Sequence, residues 1–266
     1  MSLAVDVKEL TFSFPHSTDH ALEDISISLP WNSRMLICGS NGAGKSTLLK
    51  LLSGKHLCRS GYIRVADRDP FATVNTALNE GMVTTYLGTE WCHMSIIDRD
   101  IGVLELLESI GLQHYHDRGK ELIDILDVDV MWRMHRLSDG QKRRVQLCMG
   151  LLRPYKLLLL DEVTVDLDVV ARAKLLKFLQ HETETRQCSI IYATHIFDGL
   201  ADWPHTIVHL SHGRILEKVD CARSIRFVKG EPGRSVEFTD PITIPSSHSI
   251  YPLAVEWLLR DEHKKL

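Results

Sequence analysis

A layered α/β fold on a largely parallel sheet is the architecture this 266-residue sequence predicts. Three observations carry it. Short apolar strands alternate with helix-patterned stretches along most of the chain. The strand RMLICGS runs straight into the glycine-rich loop GSNGAGKST at 39–47, which opens a helix. The run KLLLLDE at 156–162 is apolar without alternation, as in a strand covered on both faces.

The elements follow in order. VKELTFSF and ISISL alternate as half-buried strands around the polar turn PHSTDHAL. RMLICGS and the helix STLLKLLSG, closed by Gly54, come next, then the strands YIRVAD and MVTTYLG. Residues from about 92 to 136 turn helical, with IGVLELLESI and KELIDILDV set apart by Gly111 and Gly119. With a further helix from about 139, they predict a helical subdomain over 92–152, inside a main domain of 5–228. The strand KLLLLDE, the helix VVARAKLLKFLQ, the strand SIIYATH and the pair TIVHL and GRILEK complete the alternation. From 229 to 266 a Pro-, Ser- and Gly-rich linker leads to YPLAVEWLLRDEHKKL. As a helix this tail puts Leu253, Trp257 and Leu258 on one face, to dock on the chain's own core or on a partner.

Composition narrows the function classes. The net charge of −4 gives no general basic field, so there is no strong nucleic-acid signal. The local run Lys142, Arg143 and Arg144 reads as a solvated helix face. Cysteines at 38, 58, 92, 148, 188 and 221 have neither CxxC nor zinc-finger spacing, which fits reduced thiols in a cytosolic or nuclear compartment. The N-terminus lacks an apolar run of signal-peptide length, and the longest apolar run, LLLL, is far below a bilayer span. The expectation is a polypeptide that does not itself insert into a membrane.

The loop carries the chemistry. Gly39, Gly42 and Gly44 let the backbone curl so that the N–H groups of the loop, which also holds Ser40, Asn41 and Ala43, point inward at an anion. The helix start behind them adds partial positive charge. Lys45 supplies a full charge for β- and γ-phosphates, Ser46 a hydroxyl for Mg²⁺, and Thr47 a phosphate contact. Asp161, ending its strand, is suited to hold Mg²⁺ through water, and Glu162 to orient or deprotonate an attacking water. At 137–141 the chain reads LSDGQ. Ser138 is a good N-cap and Gln141 completes a capping box, and the capped start is also a seat for an anion.

LSDGQKRRVQ resembles the LSGGQ signature of ATP-binding-cassette ATPases. The order of phosphate loop, helical segment, signature, LLLLDE and isolated histidine resembles that family over roughly residues 5–220. The resemblance implies an α/β P-loop NTPase fold of the cassette type, with an antiparallel β subdomain and a small α-helical subdomain. It implies ATP and Mg²⁺ as ligands and hydrolysis as the activity. In that family one subunit's signature caps the ATP on the other subunit's loop. Leu137, Ser138, Asp139, Gly140 and Gln141 are therefore expected to face a neighbour's γ-phosphate, with a head-to-tail homodimer as the simplest assembly and a heterodimer as the alternative. By position, Phe14 matches the aromatic that stacks on adenine, VDLD at 165–168 the D-loop ending in Asp168, and His195 the switch histidine. Lys45, Glu162 and His195 are thus the expected catalytic residues, and Ser46 and Asp161 the expected magnesium ligands.

Three positions depart from the family pattern. Thr89, in YLGTEW, stands where transport cassettes carry a glutamine, with Glu90 a potential substitute. Asp139 replaces a signature glycine, and its charge is expected to point away from phosphate or to meet a basic partner. Val163 replaces a proline. LPWNSRMLICGSNGAGKSTLLKLLSGKH, the DPF at 69–71, YLGTEW and the signature are similar to a group of eukaryotic stand-alone cassettes. That group includes a fungal factor associated with the carbon-catabolite-repression/Not complex, and plant relatives. The expected role is thus a regulatory ATPase in the cytoplasm or nucleus. The alternative is a nucleotide-binding subunit of a transporter with separate membrane subunits.

Overall fold

The structure, a computed structural model, describes residues 2–15, 17–58, 60–71, 84–88, 99–228, 241–245 and 249–263. A six-stranded sheet in the order β5-β6-β7-β3-β8-β9 forms its centre. Its members are β3 (Arg34–Cys38), β5 (Thr84–Leu87), β6 (Leu157–Asp161), β7 (Ser189–Ala193), β8 (Thr206–Ser211) and β9 (Arg214–Asp220). All neighbours are parallel except β8 and β9, which form an antiparallel hairpin. A second, antiparallel sheet has the order β2-β1-β4, from β1 (Leu3–Phe12), β2 (Leu22–Pro30) and β4 (Tyr62–Val65).

The apolar run of β6 is explained by its two covered faces. Leu157 and Leu159 pack into the core shared with the antiparallel sheet and α1 (Lys45–Leu52). Leu158 and Leu160 pack into the opposite core, with α4 (Asp139–Leu152) and α5 (Val169–Thr185). Each fully buried leucine contributes about 1.5–3 kcal/mol, so a polar residue at any of the four positions is disfavoured.

Helices α2 (Val103–Ser109), α3 (His116–Ile125) and α4 lie between β5 and β6 in sequence. Gly119 does not separate helices as its residue type predicts; it lies inside α3. A Cβ there would stand 2.3 Å from Leu112 Cδ1, so close packing explains the glycine. Gly111, at φ 101, does make the turn after α2. Arg118 of α3 reaches α5, where its guanidinium donates to both oxygens of Glu182, at 2.8 and 2.5 Å.

Downstream lie the short α6 (Cys221–Ser224) and a parallel pair of short strands, β10 (Ile225–Val228) and β11 (Ile242–Pro245), which the sequence pattern had not suggested. The tail helix α7 (Tyr251–His263) docks on the chain's own sheet. Leu253, Ala254, Trp257 and Asp261 are buried at helical spacing, while Leu258 is only half-buried. Trp257 stacks on His209 of β8, with centroids 4.9 Å apart, and its indole N–H donates to Glu217 of β9 at 2.9 Å. Asp261 meets His209 Nε2 at 3.0 Å. Among the described residues no helix is long and apolar enough to cross a membrane.

Candidate functional site

Neighbouring strands bring the chemistry together. Since β6, β7 and β3 are adjacent, the residues that follow them share one edge of the sheet: Asp161 and Glu162, then His195, then the loop at 39–47. In parallel sheets that edge is where ligands bind.

The loop is set by close contacts. A Cβ at Gly39 would lie 2.2 Å from the Leu210 carbonyl oxygen, so only glycine fits against β8. Gly44 caps α1 at φ 104, a left-handed conformation that side chains resist. The Gly213 N–H donates to the Ala43 carbonyl at 3.0 Å, clipping the loop to the β8–β9 turn. Asn41, Gly42 and Ser46 are exposed, Ser40 and Thr47 half-exposed. Lys45 is 6% exposed, and its ammonium donates to the carbonyls of Gly39 at 2.9 Å and Ser40 at 3.1 Å. These carbonyls orient the cation without neutralising it, so the ammonium can also meet an anion.

Asp161 is buried and held from two sides. The Ser46 hydroxyl donates to its Oδ1 at 3.0 Å, and the Tyr86 phenol donates to its Oδ2 at 2.9 Å. A hydroxyl beside a carboxylate is a hard-oxygen donor set that suits Mg²⁺. Among the described residues no group of three or more His, Cys, Asp or Glu could hold a metal. Mg²⁺ is commonly held by one or two side chains together with phosphate and water, and Ser46 beside Asp161 fits that form. Such an ion would supply positive charge to a bound phosphate group.

Glu162 has φ 56, uncommon for a side-chain-bearing residue, while its N–H donates to the Ala193 carbonyl at 2.9 Å. Strain of this kind collects where geometry serves function. Its Oε2 contacts His195 Nδ1, and its Oε1 lies 4.0 Å from the Lys45 ammonium. A half-buried carboxylate at the mouth of the loop can take a proton from water. The His195 side chain is 56% exposed and can turn toward a phosphate.

At 137–141 the capping box forms. Ser138 Oγ accepts from the Gln141 N–H at 3.3 Å, and the Ser138 N–H donates to Gln141 Oε1 at 3.0 Å. Leu137 and Gly140 are half-buried, while Ser138 and Asp139 are exposed. Asp139 favours the helix N-terminus it starts. Among the described residues no hydrogen bond or ion pair joins 137–141 to 39–47. Phe14 is 42% exposed and packs edge-to-face on Phe12 and His56.

Comparison with known proteins gives this arrangement its family. A family profile described as "ABC transporter" matches residues 22–165. The chain belongs to the ATP-binding-cassette family. It is similar to CCR4-associated factor 16 of Saccharomyces cerevisiae, 56% identical over 97% of this chain and 95% of the relative. It is also similar to ABC transporter I family member 20 of Arabidopsis thaliana, 46% identical over 79% of this chain and 68% of the relative. A solved dimeric ATP-binding cassette in a post-hydrolysis state, bound to ADP and Pi, shares the fold. Its TM-score is 0.66 at 18% identity, over 82% of this chain and 98% of the other. This cassette is an ATP hydrolase.

One expectation is corrected. The basic run of the cassette's α4 is not a solvated face. Arg143 is 3% exposed; its Nη1 donates to the Gly88 carbonyl at 2.9 Å, and its Nε lies 3.6 Å from Asp166. Arg144 bridges Asp127 at 2.9 Å and Asp168 at 2.8 Å, while Lys142 is half-exposed. Asp168 also caps α5, accepting from the N–H groups of Val170 and Ala171. Val163 is fully buried in the core beside α5, so an apolar side chain fills the place of the family's proline. Thr89 and Glu90 lie outside the described residues. Sequence reasoning missed Tyr86, Arg143 and Gln146. Tyr86 pairs with Leu159 in parallel register, which puts it on the face of Asp161 two residues further along β6. A phenol one strand away from the expected carboxylate was the available signal.

Proposed function

We propose that this cassette binds Mg²⁺ and ATP in the seam of a head-to-tail homodimer, and that hydrolysis opens the seam. The observation that carries the reading is the capped helix start at 137–141, which is formed, exposes Ser138 and Asp139, and among the described residues has no hydrogen bond or ion pair to the 39–47 loop. Each chain thus has a phosphate cradle without a lid and a lid without a cradle. A two-fold pairing supplies both. Within each site, phosphoryl transfer requires positioning and charge neutralisation. The loop N–H groups, Lys45, Ser46 and Thr47 hold the triphosphate, Phe14 stacks on adenine, and Ser46 and Asp161 hold Mg²⁺. Glu162 accepts the proton of the attacking water and His195 bonds the γ-phosphate. The partner's Ser138 and the N–H groups at its helix start neutralise charge from the far side.

Closure and opening then act as a signal to a protein complex in the cytoplasm or nucleus. Support comes from the name of the yeast relative, CCR4-associated factor 16. The name of the plant relative supports a second reading, a nucleotide-binding subunit for separate membrane proteins. Co-purification of a membrane protein from detergent extracts would favour that one.

Glu162→Gln keeps the side chain's shape and removes its basicity. The variant is expected to elute as a dimer with ATP and Mg²⁺ and as a monomer without nucleotide. Elution as a monomer in both conditions overturns the dimer.

A further inference from the structure

We propose that Tyr86 is a positioning residue for Asp161, holding the carboxylate in the orientation that receives Mg²⁺. This rests on the reading of Asp161 as the magnesium carboxylate. Asp161 is 5% exposed, and a buried carboxylate needs donors at both oxygens. Ser46, on the loop side, serves Oδ1, and Tyr86, from the neighbouring strand, serves Oδ2. Hydroxyl bonds to an ionised acceptor are among the stronger ones, so the pair fixes the carboxylate plane from opposite sides. Ser46 alone leaves that plane free to turn about one bond.

Tyr86 is itself held. The Lys55 ammonium lies 4.4 Å from its ring centroid. Gly88 leaves room for the phenol, since a Cβ there would fall 2.6 Å from the Tyr86 hydroxyl. The Gly88 carbonyl accepts at 2.9 Å from both Arg143 Nη1 and Gln146 Nε2, two buried side chains of α4. The helix that begins with LSDGQ therefore grips the backbone two residues beyond the phenol. Position of α4, position of Gly88, direction of the Tyr86 hydroxyl and plane of the Asp161 carboxylate form one mechanical series.

The test is a metal titration. Mn²⁺ replaces Mg²⁺ and is followed by electron paramagnetic resonance on the full chain with a non-hydrolysable ATP analogue. Analogue affinity in EDTA is measured alongside. Tyr86→Phe keeps the ring and its Lys55 contact and removes only the hydroxyl. Losing such an outer partner is expected to weaken Mn²⁺ by about tenfold, with affinity in EDTA unchanged. Gly88→Ala, which retains the tyrosine but crowds its hydroxyl, is expected to shift Mn²⁺ in the same direction. Mn²⁺ affinity unchanged in Tyr86→Phe overturns the proposal, as does an equal fall in Mn²⁺ and metal-free affinities. Failure of the wild-type chain to bind Mn²⁺ with the analogue overturns the parent reading, and this inference with it.

Discussion

Replacing Trp257 by alanine tests whether the C-terminal helix is part of the fold. The side chain is 1% exposed, lies flat on His209 and donates to Glu217. Truncating a buried tryptophan removes its transfer energy and leaves a cavity, costing about 3–5 kcal/mol. The lost bond adds little, because the Glu217 carboxylate is 34% exposed and water can replace the indole. For a chain of this size each kcal/mol moves the melting temperature by about 2–4 °C, so the midpoint falls by about 10 °C. Tyr251 on the same helix is 60% exposed, and its alanine variant stays within about 0.5 kcal/mol of wild type. Scanning fluorimetry of both variants reads the contrast. If Trp257→Ala melts with Tyr251→Ala, α7 is not docked on β8 and β9, and the tail is free for other surfaces.

Three further outcomes follow from particular contacts. The Ala171 N–H, foremost among several donors, holds the Asp168 carboxyl below its usual range. A carboxyl lowered on folding stabilises above its unfolded pKa and loses that effect as pH falls through the folded one. Asp168→Ala therefore costs about 1 kcal/mol near neutral pH as a lost helix cap. The gap from wild type narrows below pH 3.8, as urea midpoints at both pH values will show; a constant gap contradicts the cap. Arg118→Ala strands Glu182, which is 4% exposed and then left with Arg186, and costs about 3 kcal/mol. Adding Glu182→Gln should recover part of that loss, and a double-mutant cycle without coupling refutes the pairing. Burial pushes the thiols of Cys148 and Cys221 up to about 12 and that of Cys188 to about 11. Iodoacetamide near pH 8 should spare these three in the native chain and label them in urea, which peptide mass spectrometry resolves.

Legibility from sequence divides along a physical line. The phosphate loop, the Asp161 strand end and the Ser138 cap are local: each depends on residues a few positions apart, so spacing alone carries it. Arg143 and Tyr86 depend on partners 55 and 75 residues away, through the register of β5 on β6 and the seating of α4. Three consecutive basic residues have the same pattern on a wet surface as around a buried grip, so the run Lys142–Arg144 does not reveal that Arg143 alone is buried while Lys142 stays half-exposed. Gly119 broke a helix on propensity, yet the Leu112 contact required it inside one. The tail's amphipathic pattern fitted a partner as well as the chain's own sheet, because an apolar stripe does not specify what covers it.

The claim on which the rest depends is that a triphosphate site needs two chains. Turnover per chain, measured across a dilution series with the oligomeric state followed in parallel, tests it most directly. The account predicts that turnover falls as dimer disappears and returns when the protein is reconcentrated. Turnover per chain that stays constant into the range where every chain is a monomer would contradict it.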